Sequence, residues 1–357
     1  MTTETAIDPE RTQDFAGKVL GDLAGTMATV LAILGDRLGL FDALAKAGPA
    51  TSAELAERAG ASERYTREWL HGMHAAGYLQ HDREHARFAL PAEHAEVLAV
   101  EGGPFFVSGG YQALSGELRL LDRLSEAFQS GGGIPQSAYP DDTFEGMRRF
   151  SLPWYEPQLV QQWIPAIDGA HEKLDAGASY ADIGCGAGQA LIKLAQTYPR
   201  SSFVGYDSFQ AAIERGRRAA EQTGLAGRVR FELLDAADGL PQQYDLISTF
   251  DVVHDTIDPV GLLRAIRRAL KPDGTYLMLE IHCANDPSDN DGPFGTLLYG
   301  ISVLYCLTTS LAHDGAGLGT CGCPPEKVRQ LCAKAGFAEV RQLPLENPFN
   351  VLYEITP

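Results

Sequence analysis

The stretch "ADIGCGAGQALIKLAQTYP", residues 181–199, is typical of a strand that turns sharply into a helix. Its first residues are apolar, three glycines follow at alternate positions (Gly184, Gly186 and Gly188), and apolar residues then recur at helical spacing. Such a turn exposes the free backbone N–H groups and the positive dipole end of the helix. The stretch therefore predicts a ligand site at the N-terminus of a helix.

Strand and helix patterns alternate along the rest of the C-terminal half. Strands are predicted at "SYADIG", "SFVGYD", "VRFELLD", "YDLISTF" and "TYLMLEI", with helices at residues 187–198, 210–224 and 259–270. The segments "AEVRQLPL" and "FNVLYEI" follow as an antiparallel edge. This order predicts an α/β fold with a Rossmann-like, doubly wound, mostly parallel sheet of seven strands. Ligands bind such sheets at the carboxyl ends of the strands, where the glycine turn lies.

The charges around the turn restrict the ligand. The dinucleotide fingerprint needs its third glycine three residues after the second, whereas Gly188 comes after two, and Asp182 lies on the preceding strand. A carboxylate at this place disfavours a pyrophosphate and suits a ligand with a positive charge. Later strands also end in acidic residues: Asp207 could accept from both hydroxyls of a ribose, and Asp235 from an adenine amino group.

The order D-x-G-x-G-x-G, followed by Asp at the ends of consecutive strands, resembles the class I S-adenosylmethionine-dependent methyltransferases from about residue 175 onward. The resemblance implies S-adenosylmethionine as the cofactor. It also implies a cofactor site made of Asp182, Gly184, Gly186, Gly188, Asp207, Ser208, Asp235, Ala236, Phe250 and Asp251.

The first hundred residues predict a winged helix that serves dimerisation. Residues 26–47 have apolar residues at helical spacing, "TSAELAERAG" and "SERYTREWLHGMHAAG" predict two helices that open on serine caps, and "YLQHDREHARFALPAEH" predicts a two-stranded wing. DNA binding is the alternative. However, this region holds fifteen acidic and nine basic side chains, and the helix at residues 62–76 offers only Arg64 and Arg67 to a DNA backbone.

A winged-helix domain before such a catalytic domain is similar to plant-type and polyketide-tailoring small-molecule O-methyltransferases. The resemblance implies a homodimer that acts on a small molecule. We expect a dimerisation domain at residues 1–100, a helical linker and active-site cover at residues 101–170, and a catalytic domain at residues 171–357.

The segment "DVVHDTIDP" supplies the candidate catalytic residue, His254, directly after the fourth strand of the sheet. Plant-type O-methyltransferases have a similar His-Asp pair, usually followed by Trp where this chain has Thr256, and their His is the general base. A neutral imidazole suits proton removal from a hydroxyl; the alternative is a structural His that caps the next helix. The candidate substrate-binding residues are Tyr155, Glu280, His282, Tyr299 and His313, of which Glu280 and His282 could also form a second acid–base pair.

Composition limits the partners and the location. The net charge of −18 and the pI of about 4.9 disfavour nucleic acid as a partner. The apolar run at residues 294–312 contains Gly, Ser and Thr and predicts a buried helix rather than a membrane span, and the N-terminus lacks the pattern of a signal peptide. The spacing of the six cysteines matches no regular disulfide framework, so we expect reduced thiols and a cytoplasmic location. No second cysteine pair follows Cys321-x-Cys323 as a structural zinc site would need, so we expect no metal.

These features predict O-methylation of a small aromatic or polyketide-like hydroxyl, with His254 as general base. Two alternatives stay open. Transfer to N, S or C by proximity alone would differ only in the acceptor pocket. A transcriptional regulator that binds S-adenosylmethionine would instead use its winged domain on DNA.

Overall fold

The computed structural model describes residues 7–345 and 347–357, with side chains throughout except at positions 152 and 154–156. The chain forms two compact units. One comprises residues up to 115 together with residues 142–153, and the other comprises residues 116–141 and 154–357.

The first unit is helical with a small β-hairpin. Its helices are α1 (Pro9–Arg37), α2 (Leu40–Ala47), α3 (Ser52–Ala59), α4 (Glu63–Ala75), α5 (Ala92–Leu98) and α6 (Ser108–Glu117), and its strands are β1 (Gln80–Asp82) and β2 (Arg87–Ala89). The strands pair antiparallel after α4, as a wing does. The predicted winged helix is therefore present, with the hairpin where the sequence places it.

The single helix predicted at residues 26–47 is wrong, because α1 ends at Arg37 and α2 starts three residues later. Gly39 lies between them with φ of 65°, a left-handed conformation that stops a helix and favours glycine. At the other end, α1 extends back to Pro9 because the Asp8 carboxylate accepts from the backbone N–H of Glu10. Residues at the helix ends therefore determine where α1 begins and where it ends. Apolar periodicity carries no information about these residues.

The serine cap predicted for α3 is also wrong by one residue. Thr51 caps this helix by accepting from the Glu54 N–H, while the Glu54 carboxylate accepts from the Thr51 N–H, which is a capping box. Ser62 does lie at the cap position of α4. The helices enclose one apolar core whose largest members are Leu40, Phe41, Leu44, Leu55, Trp69, Leu70, Met73 and Phe88.

The second unit contains the main sheet. Its helices are α7 (Leu121–Ser130), α9 (Ile164–Ala166), α10 (Ala170–Ala176), α11 (Gln189–Thr197), α12 (Gln210–Gln222), α13 (Pro259–Ala269), α14 (Gly292–Ile301), α15 (Leu307–Leu311) and α16 (Pro325–Ala335). Helix α8 (Asp141–Gln158) precedes a π-helical turn at Leu159–Trp163, and a second such turn, Ser302–Cys306, joins α14 to α15. The strands are β3 (Ser179–Ile183), β4 (Ser202–Asp207), β5 (Val229–Leu233), β6 (Tyr244–Phe250), β7 (Leu270–Ile281), β8 (Glu339–Leu343) and β9 (Asn350–Thr356).

The seven strands are ordered β5-β4-β3-β6-β7-β9-β8. The first five pair in parallel, and β9 pairs antiparallel with both β7 and β8. The predicted Rossmann-like sheet with an antiparallel edge is thus confirmed. Chain order reverses between β3 and β6, so the carboxyl ends of these strands form the switch point at which ligands bind.

Apolar residues cover both faces of the sheet, as parallel strands require. One core includes Trp163, Tyr180, Leu194 and Phe203, and the other includes Ile247, Leu263, Met278 and Leu331. Asp182, Ser248 and Glu280 are polar residues buried within these strands. A buried polar group needs a hydrogen-bond or charge partner. These three residues therefore indicate a candidate site at one end of the sheet.

Two helical segments, Pro9–Arg37 and Gly292–Leu311, have the length and composition of a membrane span, a test that core helices of other proteins also pass. The second is interrupted by its π-helical turn and is 39% buried in its most apolar window. The first is only 11% buried there. Its exposed apolar side chains are Phe15, Val19, Leu20, Leu23, Met27, Val30 and Leu34. From Leu20 to Leu34 their spacing of three or four residues places them along one stripe of the helix, which Phe15 and Val19 extend towards its N-terminus.

Candidate functional site

The glycine turn after β3 has the close packing that only glycine permits. Gly184 and Gly188 have φ of 67° and 73°. A Cβ atom at Gly184 would lie 2.6 Å from Val252, and one at Gly188 would lie 2.2 Å from the Phe231 ring. Both positions therefore require glycine on grounds of conformation and of space, and α11 starts directly after them at Gln189.

Asp182 lies in β3 just before the turn and is 2% exposed. The hydroxyl of Ser248, on the neighbouring strand β6, donates to its carboxylate at 2.6 Å. Burial raises the pKa of Asp182 to about 7, with the hydrogen bond from Ser248 opposing that rise. A cationic group near this carboxyl group would favour its ionised form.

Asp207 ends β4 beside the turn. One carboxylate oxygen accepts from the Gly186 N–H at 2.9 Å and the other from the Phe209 N–H at 2.8 Å. Burial raises its pKa, although both backbone N–H groups oppose that rise. Because each oxygen retains a second lone pair, the oriented carboxylate can accept from two neighbouring hydroxyls. Ser208, the next residue, is exposed.

Asp235 and Ala236 follow β5. Asp235 is exposed, and one of its oxygens accepts from the Ala237 N–H at 3.0 Å, while Ala236 is buried. The second carboxylate oxygen of Asp235 is the atom available to a ligand amino group. The two residues thus combine a polar acceptor with an apolar surface at the end of the third strand in chain order.

A buried polar cluster lies at the ends of β6 and β7. The Nδ1 atom of His254 lies 2.7 Å from one carboxylate oxygen of Glu280, whose other oxygen accepts from the Val253 N–H at 2.8 Å. His254 is 3% exposed and Glu280 is fully buried. Asp251, His254 and Glu280 each offer one nitrogen or oxygen atom that could bind a metal ion, and these three atoms lie within 4.8 Å of one another. The two ends of neighbouring strands therefore present one carboxylate–imidazole unit.

His254 does not have the alternative role of a helix cap. Helix α13 is capped by Asp258, whose carboxylate accepts from the Gly261 N–H at 2.8 Å. Burial alone would lower the pKa of His254, but the charges of Glu280 and Cys306 outweigh that effect and raise it well above its ordinary value. Glu280 thus stabilises the imidazolium form of His254. A general base needs such stabilisation because it holds the proton that it takes during the reaction.

Asp251 and one further acidic residue, Asp255, add to the charge of the cluster. Burial and the charge of Glu280 together raise the pKa of Asp251 and of Asp255 to about 7, with His254 opposing that rise. Asp251 has φ of 56°, and its carboxylate accepts from the Asn350 side chain at 2.8 Å. Together with Asp182 and Asp207, these groups concentrate poorly hydrated carboxyls at the switch point, an environment that suits a cationic ligand.

A polar and aromatic segment packs against the second π-helical turn. The Gln136 side chain donates to the Tyr305 hydroxyl at 2.9 Å, and the Tyr139 hydroxyl donates to the Leu304 carbonyl at 2.6 Å. Gly133 permits this approach, because a Cβ there would lie 1.9 Å from the Thr308 carbonyl. Cys306, in the same turn, contributes to the raised pKa of His254. Residues 131–140 therefore cover the helix that borders the catalytic candidate.

The structure unites some of the predicted site residues and separates others. Asp251, His254 and Glu280 lie together, whereas the side chains of His282 and His313 are exposed beyond the ends of β7 and α15. Tyr299 is 39% exposed, and its hydroxyl donates to the Pro287 carbonyl at 3.1 Å. Tyr155 lies in α8, and its side chain is outside the described residues.

Three site residues were missed by sequence reasoning. Asn350, Cys306 and Tyr305 come from the last strand and from the π-helical turn, over fifty residues from His254 in the chain. Antiparallel pairing of β7 with β9 places Asn350 opposite Ile281, next to Glu280. The one sequence signal that could have indicated the role of Asn350 is its position as an asparagine at the start of the last strand.

Family models match both halves of the chain. Residues 26–100 match an Rv2258c-like winged HTH domain, and residues 174–295 match a methyltransferase domain. Acetylserotonin O-methyltransferase of Mus musculus is 28% identical over 358 residues, which cover 94% of this chain and 87% of that protein. The second match includes the glycine turn and the carboxylate–imidazole unit.

Solved structures share the architecture over nearly the whole chain. The mitomycin 7-O-methyltransferase has a TM-score of 0.72 at 20% identity and covers 98% of this chain and 100% of its own. Human N-acetylserotonin methyltransferase, solved in complex with SAM, has a TM-score of 0.72 at 20% identity, with 99% of each chain covered. At such identities the structural likeness establishes the fold.

Proposed function

We propose that this chain, as a class I methyltransferase with an N-terminal winged-helix domain, methylates a hydroxyl of a small aromatic or polyketide-like molecule. In this proposal His254 is the general base. The observation that carries this proposal is the buried pair of His254 and Glu280 at the switch point, 2.7 Å apart. An enzyme that transfers a methyl group to a neutral hydroxyl needs a group that takes the proton, and this pair supplies one.

The cofactor is S-adenosylmethionine, and the residues at the switch point fit it. Its sulfonium and ammonium groups would compensate the poorly hydrated carboxyls of Asp182, Asp251 and Asp255, whose pKa values burial raises to about 7. The oriented carboxylate of Asp207 suits the ribose hydroxyls, and Asp235 with Ala236 suits the adenine. A Cβ atom at Gly186 would meet no atom within 4 Å, so the turn has open space there for the amino-acid part. When bound, S-adenosylmethionine supplies a methyl group that is activated by the positive sulfur.

Glu280 sets the orientation of the base. Its carboxylate accepts from Nδ1–H of His254, which leaves Nε2 to accept a proton from the acceptor hydroxyl. After the transfer the imidazolium lies against Glu280, which stabilises its charge. The two oxygens of Glu280 accept from His254 and from the Val253 N–H, and we assign the cluster to proton transfer.

Electrostatics make the base depend on the bound cation. In the unliganded protein the charge of Glu280 outweighs the effect of burial and raises the pKa of His254, which favours the protonated imidazole. A positive sulfonium beside the same carboxyls would favour loss of that proton and so prepare the neutral base. We therefore expect turnover to rise with pH through the pKa of His254 in the complex with cofactor.

The winged-helix unit serves dimerisation in this proposal. The apolar stripe of α1 suits a second copy of the same helix, because a two-fold axis would cover both stripes at once. Arg64 and Arg67, on the helix that could read DNA, pair with Glu68 and Glu63 of the same helix. We accordingly propose a cytoplasmic homodimer that binds neither nucleic acid nor membrane, with domains at residues 1–100, 101–170 and 171–357.

An acceptor panel tests the reaction. Labelled S-adenosylmethionine is incubated with aromatic compounds that differ only in carrying a hydroxyl, an amino or a thiol group. We expect label on the hydroxyl compounds, and its loss with His254→Ala. Label on amines or thiols at a rate that His254→Ala leaves unchanged would instead identify transfer by proximity. A gel-shift assay at physiological salt tests the regulator alternative, for which we expect no retarded DNA.

A further inference from the structure

Cysteines outside the proposed reaction form a pair that is remote in sequence. Cys283 follows β7, and Cys321 lies in the segment between α15 and α16, 38 residues later. The thiol of Cys283 donates to the Cys321 carbonyl at 3.5 Å, which places its sulfur beside Cys321. The fold therefore pairs Cys321 with Cys283 and not only with its sequence neighbour Cys323.

The two thiols differ in exposure and in acidity. Cys283 is 5% exposed, whereas Cys321 is half-buried and open to small molecules. The hydrogen bond to Cys321 raises the pKa of Cys283, and burial raises it further. The neighbouring Cys283 thiol lowers the pKa of Cys321 against the opposing effect of burial, and the charge of His254 lowers it further. Thiolate character and access thus coincide at Cys321, with a protonated thiol beside it.

We propose that Cys321 and Cys283 form a redox site, at which peroxide oxidises Cys321 and Cys283 then closes a disulfide. In the first step the Cys321 thiolate attacks hydrogen peroxide, an S–O bond forms, the O–O bond breaks, and hydroxide leaves to become water. In the second step the Cys283 sulfur attacks the Cys321 sulfur, the S–S bond forms, and the S–O bond breaks. Water departs with the proton of Cys283, so two thiols and one peroxide yield one disulfide and two waters.

The bridge would join two segments that border the proposed active site. Cys283 lies three residues beyond Glu280, and Cys321 lies in the segment that follows α15. A dithiol such as dithiothreitol reverses the bond by exchange. The state of the bridge is read from thiols and peptides and needs no methyl transfer, so its failure is distinguishable from failure of the proposed function.

Thiol titration with peptide mapping tests the site. The reduced, folded protein is treated with hydrogen peroxide, quenched, denatured and titrated; we expect the thiol count to fall from six to four and to return to six with dithiothreitol. A protease that cleaves at acidic residues separates the two cysteines, because Asp291 and Asp314 lie between them. The expected product is a cross-linked peptide pair that contains Cys283 and Cys321.

Two variants sharpen the result. Cys321→Ser changes a half-buried residue, and circular dichroism checks its fold; we expect it to keep all five remaining thiols. Cys332→Ser, in α16, is the matched control and should still lose two of five. The proposal is overturned if the wild type keeps six thiols, if the bridge joins Cys321 to Cys323, or if Cys321 is oxidised to the sulfinic acid without a bridge.

Discussion

Helix α1 and the switch point of the main sheet depart from ordinary burial in opposite directions. In α1, apolar side chains are exposed: Phe15 is 65% and Leu20 is 66% accessible. At the switch point, Glu280 is fully buried and Asp182 is 2% exposed. Exposed apolar surface and buried charge are each unfavourable for an isolated chain.

The usual rule is that apolar side chains are buried and charged side chains are exposed. The two kinds of exception to this rule identify two kinds of binding surface. The apolar stripe on α1 is exposed in the part of the chain that the structure describes, and a second copy of the helix would cover it. Burial raises the pKa of the carboxyls of Asp182 and Asp251, and a sulfonium and an ammonium group would stabilise their charged forms. The chemistry of the missing partner therefore follows from the direction in which each region departs from the usual pattern.

The largest expected effect concerns the charged region. His254→Ala should lower the turnover number by about 10²–10⁴-fold, because the acceptor proton loses its base. Cofactor affinity, measured by calorimetry, should change little. Glu280→Gln should reduce turnover by a smaller factor, since it keeps the shape of the side chain but loses its charge. Near-normal turnover of His254→Ala would assign the base elsewhere.

The apolar region should respond through assembly. Phe15→Glu combined with Leu20→Glu places charges on the stripe of α1 and should raise the dimer dissociation constant by about 30-fold or more. Sedimentation velocity over a concentration series measures this change. Gln13→Glu, on the same helix, is the control and should leave the dimer intact. A double variant that sediments as the wild type does would show that α1 lies outside the interface.

The ribose site should respond less strongly. Asp207→Ala removes the carboxylate that the Gly186 and Phe209 N–H groups orient, and should weaken cofactor binding by about 5- to 150-fold. Titration calorimetry with S-adenosylmethionine measures the change. Asp238→Ala, an exposed neighbour of the adenine site, provides the control. Equal affinities for the wild type and Asp207→Ala would contradict the proposed role of β4.

The smallest effect is a dependence of stability on pH. The pKa values of Asp182 and Asp251 lie near 7 in the fold, above their ordinary value of 3.8, so the fold favours their protonated forms. Their stabilising contribution is complete below pH 3.8 and is lost as pH rises through 7. The melting temperature of the unliganded protein should therefore fall between pH 5.5 and 8, and less steeply with Asp182→Asn. A pH-independent difference between wild type and variant would refute this assignment.

Most of the sheet could be predicted because its signals are local. The strands at "SYADIG" and "SFVGYD", the glycine turn and the acidic strand ends all lie within short stretches, and parallel topology brings their ends to one edge. The ends of α1 and the cap of α3 were predicted wrongly, because single side chains such as Asp8 and Thr51 determine them. Apolar periodicity carries no information about such caps.

The sequence by itself determined the resemblance to the class I methyltransferases, the α/β fold and the positions of Asp182, Asp207 and His254, because each depends on residues near it in the chain. Tertiary structure alone decided the environment of those residues. Glu280, Cys306 and Asn350 reach the cluster from β7, the π-helical turn and β9, and Cys283 meets Cys321 across 38 residues. Hydrogen bonds and burial act through space, so the partners of a buried charge become known only when distant segments are packed together.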